Sequence, residues 1–411
     1  MSFLDFDFDL ELVQAILDTG VETPREIQQK VIPLALDGQD IIAAAPTGSG
    51  KTLAYLAPAL QHIADNYEAE PESPRVLVLV PTRELAAQAE RVWQALTTSL
   101  EFSSSVIVGG TPYGNQQQML SDGMHLLVAT PGRLLELDEK GWLDLSLTDM
   151  LIIDEADRML DMGFVDSVAT ISQLCADQRQ TMMFSATVEG ERMSKFARRI
   201  LKPETEEIKV GGKRTLAGNL EQKAFRVDND EHKNKLLLAL LQQPDLDQVI
   251  VFANTRKQVE VTTALIRDAG YMCDGLHGDL PQGERTKRLK NLRRKRVQIL
   301  VSTDIAARGL DLATISMVIN FQLPGKADAY LHRAGRAGRY EGGTGLVCSL
   351  VDTNDLPMLG KIERYQKLAI SRDTIKGLEP TKPEKVKPKK SKPKKNGKAK
   401  SSNKKKAAKK K

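Results

Sequence analysis

The chain has 411 residues, 41% hydrophobic and 27% charged, which is the make-up of a soluble globular protein large enough for two or three domains. No apolar run is long enough to span a bilayer, and Met1 to Leu10 is acidic rather than a basic-then-apolar leader, so a cytoplasmic protein is expected. Cys175, Cys273 and Cys348 lie far apart with no His at metal-ligand spacing, which argues against a disulfide framework or a zinc site and for core filler. The net charge of +5 is a sum of opposites: residues 376–411 hold seventeen Lys against two Glu, a local +15, so the rest of the chain carries −10. A body of that sign repels polyanions in bulk, so any binding there needs a focused groove, with the tail supplying long-range attraction.

The first clear element is the apolar run Ile41 to Ala45, which reads as a buried strand. It leads through Ala45, Pro46, Thr47, Gly48, Ser49 and Gly50 into Lys51 and Thr52, where Leu53 to Leu60 reads as a helix start. A Gly- and Ser-rich turn between strand and helix points backbone N–H groups into one hollow, and the helix N-terminus adds partial positive charge, which suits a triphosphate. Lys51 is placed to reach the β- and γ-phosphates and the Thr52 hydroxyl to ligate Mg²⁺. Ala45 stands where the strict pattern has Gly.

Further strands are expected at Arg75–Val80, Ser105–Gly109, His125–Ala129, Met150–Ile153 and Thr181–Phe184. A second set follows at Gln248–Phe252, Tyr271–Leu276, Gln298–Val301, Met317–Asn320 and Leu346–Leu350. Short apolar strands alternating with helices imply mostly parallel sheets covered on both faces, with ligands beyond the strand carboxyl ends. The strand Met150–Ile153 runs into Asp154-Glu155-Ala156-Asp157. Asp154 is positioned to hold Mg²⁺ through its waters, and Glu155 to orient and deprotonate an attacking water. Between the two strand sets, the Pro-, Gly- and charge-rich stretch around residues 205–220 reads as a flexible linker. Past about Gly377 the chain is Lys, Pro, Ser, Ala and Asn with no apolar period, and disorder is expected there.

Asp154-Glu155-Ala156-Asp157 together with the phosphate turn resembles the DEAD-box family of ATP-dependent RNA helicases, bacterial type. Pro81-Thr82-Arg83-Glu84-Leu85, Gly109-Gly110, Thr130-Pro131-Gly132-Arg133, Ser185-Ala186-Thr187, Val251 to Thr255, Gln282 with Arg285, Thr303-Asp304 through Asp311, and His332 to Arg339 resemble its further motifs in order. The resemblance covers nearly everything to about residue 350. It implies an α/β fold of two tandem RecA-like parallel-sheet domains (1–204 and 221–375), a linker (205–220) and a disordered Lys-rich tail (376–411).

The same resemblance implies roles for single residues. Pro81, Thr82, Arg83, Gly110, Thr130, Gly132, Arg133, Arg285 and Thr303 match RNA-backbone positions; taken singly, the Gly and Pro segments also suit plain turns. Phosphate contacts carry no base code, so sequence-tolerant RNA binding is expected. Asp157, Ser185, Thr187, Asp304, Arg308 and His332 match positions that couple hydrolysis to strand separation. Arg336 and Arg339, one helical turn apart, match arginine fingers, and Asp311 a ribose contact. Gln28 matches an adenine reader, since an amide offers adjacent donor and acceptor. Phe3 aligns with the base-stacking aromatic, with Phe6 and Phe8 as rivals. Val21 replaces an aromatic, Arg25 a hydroxyl residue, Leu292 a Phe, and Ala334 and Ala337 bulkier residues. The expected function is RNA-dependent ATP hydrolysis with local duplex separation by a monomer. The alternatives are an ATP-gated RNA clamp and a duplex-tracking DNA motor. The family's bacterial members with basic tails serve ribosome assembly or RNA decay, so ribosomal precursor particles or the decay machinery are the implied partners.

Overall fold

The structure is a computed structural model that describes residues 1–46, 48–66, 73–188, 190–210, 220–243, 246–307, 315–337 and 345–381. Its first half holds strands β1 (Ile41–Ala44), β2 (Val76–Leu79), β3 (Ser104–Ile107), β4 (Leu126–Ala129), β5 (Met150–Ile153), β6 (Gln180–Ser185) and β7 (Glu206–Lys209). Its second half holds β8 (Leu220–Arg226), β9 (Gln248–Phe252), β10 (Cys273–Leu276), β11 (Ile299–Ser302), β12 (Ile315–Asn320), β13 (Gly345–Val351) and β14 (Ser371–Asp373). They form two seven-stranded sheets, ordered β3-β4-β2-β5-β6-β1-β7 and β10-β11-β9-β12-β13-β8-β14. Every pairing is parallel, so these are the two tandem RecA-like sheets that were expected.

The period of two along each strand divides the core. In β2, Val76 and Val78 join one apolar cluster while Leu77 and Leu79 join another on the opposite face. The second sheet repeats this: Ile250 and Phe252 face one cluster, Val249 and Val251 the other. Both faces of each sheet are therefore covered, which is why the strands read as continuous apolar runs instead of alternating ones. The three cysteines are buried and unpaired.

Three strands escaped the sequence reading. β7 falls inside the stretch expected to be linker and pairs with β1. Of its four residues only Ile208 is buried, because an edge strand carrying charges avoids pairing with other chains and so shows little apolar signal. β8 begins at Leu220, and β14 is a short edge strand beside it. The remainder of the expected linker, 211–219, lies outside the described residues. The start of the tail also needs correction. Leu378 packs against the second core, its carbonyl lies 2.9 Å from His232 Nε2, and Thr381 donates from N and Oγ1 to Asp228 Oδ2 at 2.6 and 2.7 Å. Folded chain thus continues to Thr381, held by partners about 150 residues away that a composition reading does not see; 382–411 lie outside the described residues.

Candidate functional site

The turn after β1 folds as its glycines require. Gly48 and Gly50 have φ of +80° and +95°, values that side chains resist. Lys51 begins the helix Lys51–Asn66, is buried, and donates from Nζ to the carbonyls of Ala45 (2.7 Å) and Pro46 (3.2 Å). Two residues of the helix Glu26–Leu36 brace the turn from outside. Arg25, its N-cap, donates from Nη1 to the Gly48 carbonyl at 2.6 Å. The Gln28 amide accepts from the Arg25 N–H at 2.7 Å and donates to the Gly50 carbonyl at 3.1 Å. The departure at position 25 therefore has its own use: a guanidinium reaches the turn where a hydroxyl would be short. A cleft of about 470 Å³ opens here, lined by Arg25, Gln28, Gly48, Lys51, Thr52, Asp154, Glu155 and Arg336 among others. None of Phe3, Phe6 and Phe8 lines it; Phe3 and Phe6 are buried in the first core and Phe8 packs against it half-buried.

The carboxylates enter from the end of β5. Glu155 takes the left-handed conformation (φ 53°, ψ 47°), turning strand directly into the helix Ala156–Asp161. That conformation costs a non-glycine residue roughly 1–2 kcal/mol and marks the corner as tightly specified. Asp154 is held on both oxygens: Oδ1 accepts the Glu155 N–H at 2.8 Å and Oδ2 the Tyr55 hydroxyl at 3.2 Å. Burial pushes its carboxyl up to about 6, while the Lys51 ammonium pulls the other way. Tyr55, one turn along the helix from Lys51, has its own pKa raised well above the ordinary value by burial and by Asp154. Tyr55 thus braces one of the two residues expected to hold Mg²⁺; its apolar body in a helix of apolar residues gave no such signal. A raised-pKa carboxylate beside a hydroxyl and a phosphate turn fits a hard divalent cation. Glu155 Oε2 lies 2.7 Å from Arg158 Nε, close but too poorly aligned for a hydrogen bond. Burial, then Glu155, also raise Asp157. Nearby, Ser185 Oγ donates to the Thr187 carbonyl at 2.6 Å.

The second half meets this edge through polar residues. Arg83 Nη1 donates to Gln282 Oε1 at 3.2 Å, and Arg285 Nε lies 2.6 Å from Glu84 Oε1. Gly110 has φ +73°, and a Cβ there would collide with the Arg83 guanidinium. Pro81 is buried; Thr82, Thr130, Gly132 and Thr303 are half-buried and Gly110 is exposed. Arg133 departs from this group. It is buried, donates to the Thr111 carbonyl (2.8 Å) and Gln116 Oε1 (2.7 Å), and stacks on Tyr113. Its visible work is to hold the loop after Gly110, a partner set that spacing alone cannot reveal.

The helix Ala327–Ala334 is fixed by Arg333, 1% exposed. All five of its N–H groups are taken: Nε and Nη2 by Asp304 (2.6 and 2.8 Å), Nη1 by Asn320 Oδ1 (3.0 Å) and the Gln322 carbonyl (2.6 Å), and Nη2 again by Asn254 Oδ1 (2.8 Å). Reading the motif as His332 plus two fingers overlooked this pin, although Asn254 and Asp304 sit in quoted motifs. Arg336 follows one turn later, 5% exposed, and lines the nucleotide cleft opposite Lys51 and Glu155. Thr47, Arg308, Asp311 and Arg339 lie outside the described residues.

Residues 25–196 match the DEAD/DEAH box helicase family and residues 232–341 the helicase conserved C-terminal domain. The chain is similar to the ATP-dependent RNA helicase SrmB of Escherichia coli (strain K12), 40% identical over 379 residues, 92% of this chain and 85% of that protein. It is also similar to DeaD of the same organism, 38% identical over 374 residues, 90% of this chain and 58% of that protein. Among solved structures, S. cerevisiae Dbp5 bound to RNA and ADP BeF3 superposes with a TM-score of 0.82 at 29% identity, over 90% of this chain and 95% of that one. Mss116p bound to ssRNA and AMP-PNP gives 0.80 at 27% identity, over 90% and 78%.

Proposed function

This chain belongs to the DEAD-box family of ATP-dependent RNA helicases, and from that premise we propose that it hydrolyses ATP only when its two halves close around single-stranded RNA, separating short duplexes locally. The observation that carries this reading is Arg336, a residue of the second half, in the wall of a cleft otherwise built by the first. A pocket completed by a distant segment turns over only when that segment is in place.

In this mechanism Lys51 leaves the Ala45 and Pro46 carbonyls to hold the β- and γ-phosphates, and the N–H groups of the turn cradle them. Asp154, through water, and Thr52 would hold Mg²⁺, which would supply charge neutralisation on the phosphates. Glu155 accepts the proton of the attacking water. Arg336 faces the γ-phosphate as an arginine finger; Arg339 is assigned the same part, and Asp311 the ribose. Gln28 exchanges its bond to the turn for the adenine edge. Arg83, Gly110, Arg285 and Thr303 line the RNA path with Pro81, Thr82, Thr130 and Gly132. Arg133 supports that path from behind through Thr111. Asp157, Ser185, Thr187, Asp304, Arg308 and His332 relay closure between the halves. The cellular role assigned is ribosome assembly or RNA decay, supported by the likeness to bacterial relatives and by the Lys-rich tail.

Glu155→Gln should retain ATP and RNA affinity within a few-fold while turnover falls by roughly 10²–10⁴. Loss of ATP binding in an equilibrium titration would contradict the assignment. A single-turnover assay on a short duplex separates helicase from clamp: the helicase frees a strand, whereas a clamp hydrolyses slowly and frees none.

A further inference from the structure

Beside the nucleotide cleft, sharing Arg336 with it, lies a second, smaller hollow with contributions from both halves: Arg158 from the first, and Asp304, His332, Arg333 and Arg336 from the second. Its volume is about 20 Å³, just above the ~15 Å³ that one water needs, and it is open to solvent on one side. Among the described residues, the only carboxylate in the lining, Asp304, is bound on both oxygens by Arg333. Arg158 is 3% exposed, and its Nη1 and Nη2 are shut off from solvent with no hydrogen-bond partner. A buried guanidinium with both amino groups unsatisfied is strongly unfavourable unless an acceptor comes to it. Its planar pair of donors matches a tetrahedral oxyanion on two oxygens at once.

The hollow and the cleft share a wall. Arg336 lines both spaces, and Glu155, which lines the cleft, is tied to Arg158 at 2.7 Å. We propose that the hollow is a transient binding site for inorganic phosphate, taken from the nucleotide cleft past Glu155 onto Nη1 and Nη2 of Arg158. The proposal rests on the reading above that Glu155 and Arg336 face the γ-phosphate. Its source is the hydrolysis itself: the water oxygen bonds to the γ-phosphorus, the bond to the β–γ bridging oxygen breaks, Glu155 takes the proton, and ADP and phosphate result. Because the lining comes from both halves, phosphate held there keeps them together after hydrolysis. RNA is then released when phosphate escapes, not when the bond breaks.

The test uses the full chain with a short single-stranded RNA. Hydrolysis is followed by rapid quench, phosphate release by a fluorescent phosphate reporter, and RNA release from the ADP complex with and without added inorganic phosphate. Wild-type protein should release phosphate after a lag behind hydrolysis, and millimolar phosphate should slow RNA release at least threefold; chloride of equal ionic strength controls for a general salt effect. Arg158→Lys keeps a cation beside Glu155 but loses the paired amino groups. It should shorten the lag and abolish the slowing of RNA release by millimolar phosphate. Ala329→Leu, which adds bulk to the hollow's lining from the other half, should do the same, and the readout is the ratio of release to hydrolysis. An unchanged lag and phosphate effect in both folded variants would overturn the site, as would equal slowing by chloride. A Glu155→Gln protein that still hydrolysed ATP at the wild-type rate would instead sink the assignment of Glu155, so the two failures are distinguishable.

Discussion

Asp154 sits where burial and a neighbouring ammonium pull against each other: desolvation raises its carboxyl to about 6 and Glu155 adds to the rise, while Lys51 opposes it. In the unfolded chain the same carboxyl titrates near 3.9. Between about pH 4 and 6 the native state therefore binds the extra proton, so this residue's contribution to stability falls as pH rises through that window and stays low above it. About two pKa units correspond to about 3 kcal/mol. In the absence of nucleotide, the wild-type unfolding free energy should fall relative to that of Asp154→Asn across this window, as chemical denaturation at several pH values would record. Turnover at subsaturating Mg²⁺ should move the opposite way and fall as pH falls, because a cation must displace the proton of Asp154. A parallel pH dependence of stability in the two proteins would show that burial is not what sets its charge state.

The helix Ala327–Ala334 meets the sheet edge through a different kind of residue. Arg333 joins it to Asn254 after β9, to Asn320 at the end of β12 and to Asp304 after β11. A lysine makes at most three hydrogen bonds and lacks the fork, so Arg333→Lys leaves buried amide or carboxylate oxygens unmet. Breaking a buried charge network of this kind costs about 3–5 kcal/mol. A fall in Tm of roughly 10 °C is expected for a domain of this size. Arg336→Lys, one turn on, should leave Tm within about 2 °C and instead lower RNA-stimulated turnover by roughly 10³. Thermal melts and ATPase rates on the pair distinguish pin from finger; equal losses of Tm in both would erase the distinction.

At the scale of the whole molecule, the four apolar clusters stop at the boundary: two draw only on residues up to Val210, two only on residues from Leu220 onward. The halves touch through Arg83–Gln282, Glu84–Arg285 and Asp161–Lys326. Exposed pairs such as Asp161–Lys326 contribute under ~1 kcal/mol each, so in the proposed mechanism closure is a balance that ATP and RNA would tip. The charge split acts over longer range. Removing residues 382–411 deletes a net +15 and leaves every contact to Thr381 intact. The truncated chain should bind RNA more weakly, with a flatter dependence of log affinity on log salt, and should keep its ATPase rate at saturating RNA. An unchanged salt slope would reduce the tail to a solubility device.

Local chemistry was sufficient to write most of this protein down from its sequence. Apolar runs flanked by Gly-rich turns gave eleven of the strands, because a strand buried on both faces is apolar at every position. The phosphate turn and the Asp154–Asp157 corner were legible because strand, turn and helix there are consecutive. Tertiary structure decided the rest, since each such feature depends on partners far along the chain. β7 and β14 are edges whose register is set by their neighbours, and Leu378 and Thr381 are held by residues some 150 positions earlier. Arg133 turns inward because Gln116 and Thr111 wait there, Arg333 gathers oxygens from three loops, and Arg336 completes a cleft begun by Lys51. Spacing names such residues, but only the closed chain fixes which way an arginine points.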